Sequence, residues 1–98
     1  MTPDQEADFL IFARERSPGL FRGALLLTSG DWHRAADLTQ ETLGRIYEVW
    51  DRQHPIDRPA GYAHTAMVRI FLVHRRRRSS QERPAEQLPE VASRQQRR

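Results

Sequence analysis

Cysteine is absent from all 98 residues. That excludes disulfides and thiolate metal sites, and it is the pattern expected of a chain kept in a reducing cytoplasm. Lysine is absent too, so all 16 basic residues are arginine. Arginine suits contacts with phosphates and bases, but a GC-rich coding sequence accounts more simply for the complete exclusion of lysine. No apolar run approaches the ~20 residues that a spanning helix needs. The first residues, MTPDQEADF, are acidic where a signal peptide is basic and then apolar, so no membrane insertion is expected. Aromatic residues make up 8% and apolar residues 38% of the chain. One small domain with a modest core is what this length and composition allow.

The charge that is present is unevenly placed. Residues 1–68 carry seven arginines against ten acids, whereas residues 69–98 carry nine arginines against three acids. A basic end predicts a polyanion there, and an acidic body predicts a different partner.

The chain is organised around residues 31–50, DWHRAADLTQETLGRIYEVW, which read as one amphipathic helix. Trp32, Ala36, Leu43, Ile46, Tyr47 and Trp50 recur at helical spacing as an apolar stripe. Asp37, Gln40, Glu41, Arg45 and Glu48 form the polar face. Asp37 to Glu41 and Glu41 to Arg45 are both i,i+4 steps. From spacing alone this is either an ordinary solvated face with a weak Glu–Arg pair or a docking surface. Gly44 inside the helix costs about 1 kcal/mol against alanine. Either a close approach by another backbone or a tolerant surface position accounts for it.

Upstream, residues 4–15 read as a helix with acids in its first turns, favoured by the helix dipole, and with Phe9, Phe12 and Ala13 turned inward. Ser17-Pro18 predicts a restart, with serine as N-cap and proline at the first helical position. Residues 18–27 then carry Leu20, Phe21, Ala24, Leu25 and Leu27. One kinked helix and two separate helices both fit. Thr28-Ser29-Gly30 closes this part, Gly30 in the left-handed C-cap conformation, and Asp31 caps the central helix.

Downstream, residues 51–58 read as a polar loop. Pro55 disfavours helix at His54, and Asp57 with Pro59 signals a new N-terminus. Residues 59–78 predict a last helix with Ala63, Ala66, Met67, Ile70 and Val73 inward and Tyr62 and Phe71 at the edges. Residues 79–98 lack apolar periodicity and read as a flexible tail. The fold class expected is all-α: a compact bundle of three to four helices over residues 1–78, followed by that tail.

His33, His54, His64 and His74 include no pair at a three- or four-residue separation, and no carboxylate completes a metal set, so neither a metal nor another cofactor is expected. No nucleophile–base pair, glycine-rich phosphate loop or catalytic carboxylate pair is present, so enzyme activity is not expected. Arg75, Arg76, Arg77 and Arg78 exceed what a helix dipole asks for at a C-terminus. Successive positions point around the cylinder, so two or three of them share a surface fit for phosphates.

DLTQETLGRIYEVW, preceded by LLLTSGDWHRAADL, resembles region 2.2 and its approach in sigma-70 superfamily factors of the extracytoplasmic-function type, in an actinobacterial style. The motif residues are Asp37, Leu38, Gln40, Glu41, Arg45, Tyr47 and Trp50. PAGYAHTAMVRIFLVHRRRR resembles regions 2.3 and 2.4. The resemblance covers residues 5–80 and has no counterpart for region 4, the −35-reading helix-turn-helix domain.

It implies docking on the β′ clamp helices of core RNA polymerase through Asp37, Gln40, Glu41, Arg45 and Glu48. It also implies recognition and melting of the −10 promoter element, with the non-template strand held by Arg52, His54, Asp57, Arg58, Tyr62, Arg69 and Arg75 to Arg78. An anti-sigma factor covering the same surfaces is a further implied partner. Many relatives carry asparagine where this chain has Arg69, which bears on the −10 sequence read. Trp50, Tyr62 and Phe71 lie near the loop, where bases are captured by stacking; core packing is the competing role and the favoured one for Trp50. Two other readings remain: a stand-alone domain that binds polymerase or an anti-sigma factor without directing promoter choice, and a non-specific nucleic-acid-binding helical module.

Overall fold

The computed structural model describes residues 1–52 and 56–86. It contains three helices in sequence: α1 (Pro3–Leu27), α2 (Trp32–Arg52) and α3 (Pro59–Glu86). No strand occurs among the described residues. Each helix packs against both others, so the all-α bundle expected from the sequence is the fold observed.

Helix α1 begins one residue earlier than its acidic turn suggests. Thr2 is the N-cap, its hydroxyl accepting from Gln5 N at 3.1 Å while Gln5 Oε1 accepts from Thr2 N at 3.0 Å. This capping box, with Pro3 in the first turn, satisfies two orphan donors at once.

The restart at Ser17-Pro18 does not occur: α1 is continuous and Pro18 lies inside it. Interior proline costs about 3 kcal/mol, through a lost hydrogen bond and a clash with the carbonyl four residues back. Burial of each large apolar side chain returns about 1.5–3 kcal/mol, and Phe9, Phe12 and Leu20 are buried on both sides of the proline. Packing therefore outweighs the break. Ser17, expected as a cap, instead donates its hydroxyl to Ala13 O at 2.5 Å.

The α1–α2 turn follows its sequence signals. Gly30 has φ +84°, and its N–H donates to Leu25 O at 2.7 Å. Asp31 Oδ1 accepts from Arg34 N at 3.1 Å, capping α2. Ser29 is left-handed as well, with φ 58°.

Helix α2 lies against α1 and α3 together, and its buried arc is displaced from the expected stripe. Ala35, Leu38, Thr39, Thr42, Ile46, Val49 and Trp50 are buried. Of the expected set only Ile46 and Trp50 are fully inside. Leu43 is half-buried, whereas Ala36, Trp32 and Tyr47 are exposed, Trp32 by 69%. Two threonines explain the displacement. Thr39 and Thr42 donate their hydroxyls to Ala35 O and Leu38 O at 2.8 and 2.7 Å. The hydroxyl is satisfied within the helix, which leaves the methyl for the core. The predicted stripe is the α1-facing flank of this arc: Trp32 meets Phe21 and Tyr47 meets Phe9, each with ring centroids 5.0 Å apart.

Helix α3 turns Ala63, Met67 and Ile70 inward as expected, with Ala66 half-buried. Val73, expected inside, is 37% exposed, and half-buried His74 lies next to it. The helix continues through Glu86, eight residues past the expected end at 78; residues 79–86, read as the start of the tail, are rich in the helix formers Gln, Glu, Arg and Ala. The remainder of the predicted tail lies outside the described residues.

A direct check on the displaced arc compares Ile46→Ala with Trp32→Ala in urea unfolding. Ile46 is 0% exposed, and the substitution is expected to cost about 2–5 kcal/mol. Trp32→Ala is expected to cost about 1 kcal/mol, the worth of its ring pair with Phe21. The stripe read from sequence predicts comparable losses at both positions.

Candidate functional site

Two surfaces of opposite charge meet along the α2–α3 seam. The first is the outward face of α2. Asp37, Gln40, Glu41, Arg45 and Glu48 are all exposed, because the buried arc occupies the other side of the cylinder. Asp37, Gln40 and Glu48 point away from the bundle. Glu41 and Arg45 lie at the α3 edge.

At that edge the expected Glu41–Arg45 pair is replaced by two others. Glu41 Oε1 lies 2.9 Å from His74 Nε2 of α3, and Arg45 Nε lies 3.8 Å from Glu48 Oε1. The Arg45–Glu48 contact is exposed and the Glu41–His74 contact partly so, so each contributes little to stability by itself. What they do is fix direction: Glu41 is turned toward α3.

The second surface starts at the connector. Residues 53–55 are outside the described residues, and with them the expected DNA contact His54. Ile56, which the sequence reading did not single out, is half-buried against the core and pins the connector. Arg58 follows with φ 53°, a left-handed conformation that costs a non-glycine residue roughly 1–2 kcal/mol. Its carbonyl accepts from Tyr62 N at 3.0 Å, opening α3 behind Pro59. Asp57 therefore stands one position ahead of the cap.

A cleft of about 550 Å³ opens between this connector, α3 and Arg45 of α2. Asp57, Arg58, Tyr62 and Arg69 line it. Tyr62 is 37% exposed. Further along the seam a crevice is lined by Glu41, Arg45, Arg69, His74 and Arg77. Arg45 and Arg69 belong to both, so the two are continuous. Tyr62, Arg69 and Arg76 recur every seven residues, hence along one side of α3. Within the arginine run Arg77 lines the crevice, Arg75, Arg76 and Arg77 are exposed, and Arg78 is half-buried. Arg52 is exposed at the end of α2.

Trp50 belongs to the core. It is 5% exposed and packs on Phe9 and Phe12 with centroids 5.6 and 5.3 Å away. Phe71 is half-buried against the same cluster. Among the three aromatics near the connector, Tyr62 is the one presented to the cleft.

The α1–α2 flank carries a polar tie that sequence spacing could not reveal. The Tyr47 hydroxyl donates to Glu6 Oε2 at 3.4 Å, across 41 residues. The Glu6 carboxylate pushes the Tyr47 phenol above its ordinary value of 10.0, with desolvation adding in the same direction. Nearby, the amino terminus lies 2.9 Å from Asp51 Oδ1.

No group of three or more His, Asp or Glu among the described residues is placed to hold a metal ion. No described helix is long and apolar enough to cross a membrane. The exposed α2 face carries Asp37, Glu41 and Glu48 with Arg45 at its edge, and the cleft beside it gathers Arg58, Arg69 and the Tyr62 phenol with Asp57.

The family model for sigma-70 region 2 matches residues 12–81. This match runs from the middle of α1 through the α2 face, the cleft and the arginine run. The chain belongs to the sigma-70 region 2 family. Neither a curated protein nor a solved structure matches it. At family level, membership assigns this sigma region 2 domain a part in transcription initiation, with RNA polymerase and promoter DNA as partners.

Raised phenol ionisation gives a test of the Tyr47 tie. Alkaline difference spectra are expected to show a tyrosine component above pH 10.0 that Tyr47→Phe removes and Glu6→Gln brings down. With the folded value raised, the stabilisation is fully present below the ordinary phenol value and is lost as pH climbs through the raised one.

Proposed function

We propose that this chain acts as the region 2 domain of an extracytoplasmic-function sigma factor. In this reading α2 docks on the β′ clamp helices of core RNA polymerase through Asp37, Gln40, Glu41, Arg45 and Glu48. The −10 element is opened over the cleft, with the non-template strand held there. The observation that carries the reading is the placement of an acidic α2 face directly beside an arginine-lined cleft that contains an exposed tyrosine.

Complementary charge steers and orients docking on a basic coiled coil more than it adds raw affinity. Arg58, Arg69 and Arg76 supply phosphate contacts, which position a strand without reading its sequence. Tyr62 supplies a flat face for an unstacked base, worth ~1–3 kcal/mol per base. The step is a transfer of bases from duplex stacking to protein stacking, with no covalent chemistry. An anti-sigma protein that covers the α2 face and the cleft would hold the domain inactive.

One observation favours a second reading, a polymerase-binding domain without promoter choice. Arg69 lines the cleft, at a position where the family resemblance implies asparagine in many relatives, and a guanidinium cannot reproduce the paired donor and acceptor that an asparagine amide offers a base.

Binding to core polymerase and promoter opening separate these readings. Asp37→Ala is the variant to use, because Glu41→Ala also removes the His74 contact. Asp37→Ala is expected to weaken polymerase binding about tenfold, equivalent to ~1.4 kcal/mol, with unfolding unchanged. Unaltered binding would count against the docking face. Tyr62→Ala is expected to abolish promoter opening while polymerase binding is retained. Opening absent in the parent chain, with binding intact, selects the second reading.

A further prediction concerns salt. Arg69→Ala is expected to reduce the slope of log affinity for single-stranded −10 DNA against log salt by about 0.7, the loss of one phosphate contact. An unchanged slope would place Arg69 away from the strand. Equal affinity for every sequence, in the presence of polymerase, would select the non-specific module.

A further inference from the structure

We propose that Gly44 is the seat for a side chain of the polymerase helix that docks on α2, and that its bare backbone sets how closely the two helices approach. The inference rests on the docking reading above and deepens it.

A fold gives two internal reasons for a glycine: a left-handed backbone, or a neighbour that leaves no room for a Cβ. Gly30 needs a left-handed φ of +84°. Gly19 and Gly23 of α1 face neighbours within the chain, where a Cβ would make ordinary van der Waals contact with Arg22 Nη2 at 3.7 Å, and with Met67 Sδ at 3.8 Å and His64 Cε1 at 4.0 Å, respectively. Gly44 has neither reason. Its φ is not left-handed, and a Cβ built on it meets nothing within 4 Å. Yet it lies deep inside α2 (Trp32–Arg52), where glycine weakens a helix relative to alanine. Gly61 is equally open, but it sits in the first turn of α3, where the weakening is least, and it lines the cleft. Nothing inside the chain offsets the presence of glycine at position 44.

Its neighbours say what would. Asp37, Gln40, Glu41 and Gly44 stand at i, i+3, i+4 and i+7, the four corners of a hole that receives a knob from a facing helix. Gly44, Tyr47, Glu48 and Asp51 form the next hole, and Gly44 is the shared corner. All seven residues are exposed. Without a Cβ at that corner the two holes merge over bare backbone. A partner helix can then approach at the short end of the usual 8–10 Å range. The rim is acidic, with Asp37, Glu41 and Glu48 around the notch. The fitting occupant is therefore a polymerase helix with arginine or lysine flanking one long central side chain.

The test titrates the full 98-residue chain against core RNA polymerase beside its Gly44→Ala, Gly44→Leu and Asp37→Ala variants, with thermal unfolding of each. Gly44→Ala is expected to raise Tm by about 4–8 °C, the shift a relieved mid-helix glycine gives in a domain of this size, while weakening binding about tenfold. Gly44→Leu is expected to unfold no earlier than the parent and to lose measurable binding. A purely structural role cannot move stability and affinity in opposite directions. Parent-like binding by Gly44→Ala, with Asp37→Ala weakened, overturns the notch and leaves the docking reading standing. Earlier unfolding of Gly44→Ala places the glycine's role inside the fold and also overturns it. No binding by the parent chain overturns both.

Discussion

The structure depends on one helix being buried from two sides at once. Ala35, Leu38, Thr42, Ile46 and Trp50 of α2 are closed over by α1 and α3 together, and Ala35, Thr42 and Ile46 are fully out of solvent. A helix held this way has a single free arc, opposite its buried one. The polar residues of α2 collect there because no other side of the cylinder is open to water. The same clamping brings α3 alongside that arc, so the basic helix borders the acidic face without a long loop to carry it there. Both candidate surfaces follow from a packing requirement satisfied in the core.

Much of this was legible in the sequence, and the failures share a cause. Helix number, the Gly30 turn, the Asp31 cap and the exposure of Asp37, Gln40 and Glu48 follow from local signals: periodicity, left-handed glycine and capping chemistry. The stripe on α2 was misplaced because Thr39 and Thr42 read as polar while Trp32 and Tyr47 read as core. A threonine hydroxyl bonded to its own helix is apolar to its neighbours, and an aromatic at the flank can pair with one ring and still face water. Neither fact is visible from residue type. The break at Ser17-Pro18 failed for a related reason. Local proline chemistry was weighed without the burial of Phe12 and Leu20, which lie on either side of it in the continuous helix.

The cleft shows the same division between local and tertiary information. That arginines and a tyrosine follow the connector is plain from composition. That Arg45, from the helix expected to face polymerase, joins Arg69 in lining the cleft is a product of how α2 and α3 cross. Ile56 matters here although it carries no recognition chemistry. By burying against the core it fixes where the connector ends, and so holds Arg58 and Tyr62 at the mouth of the cleft. Membership in the sigma-70 region 2 family supplies the partners these surfaces suit.

The contact of Glu41 with His74 joins the two halves and alters how Glu41 should be understood. Along the crevice it lines, Glu41 is the single carboxylate among Arg45, Arg69 and Arg77. Three guanidiniums drawn from two packed helices repel one another, and the repulsion acts to separate α2 from α3. A carboxylate at the same edge offsets it, and the 2.9 Å approach to His74 shows the side chain turned toward that task. Glu41 therefore serves the seam before it serves a partner. Glu48, 3.8 Å from Arg45 Nε, shares that work from the outward side, so two carboxylates of α2 offset the guanidiniums gathered at its border with α3.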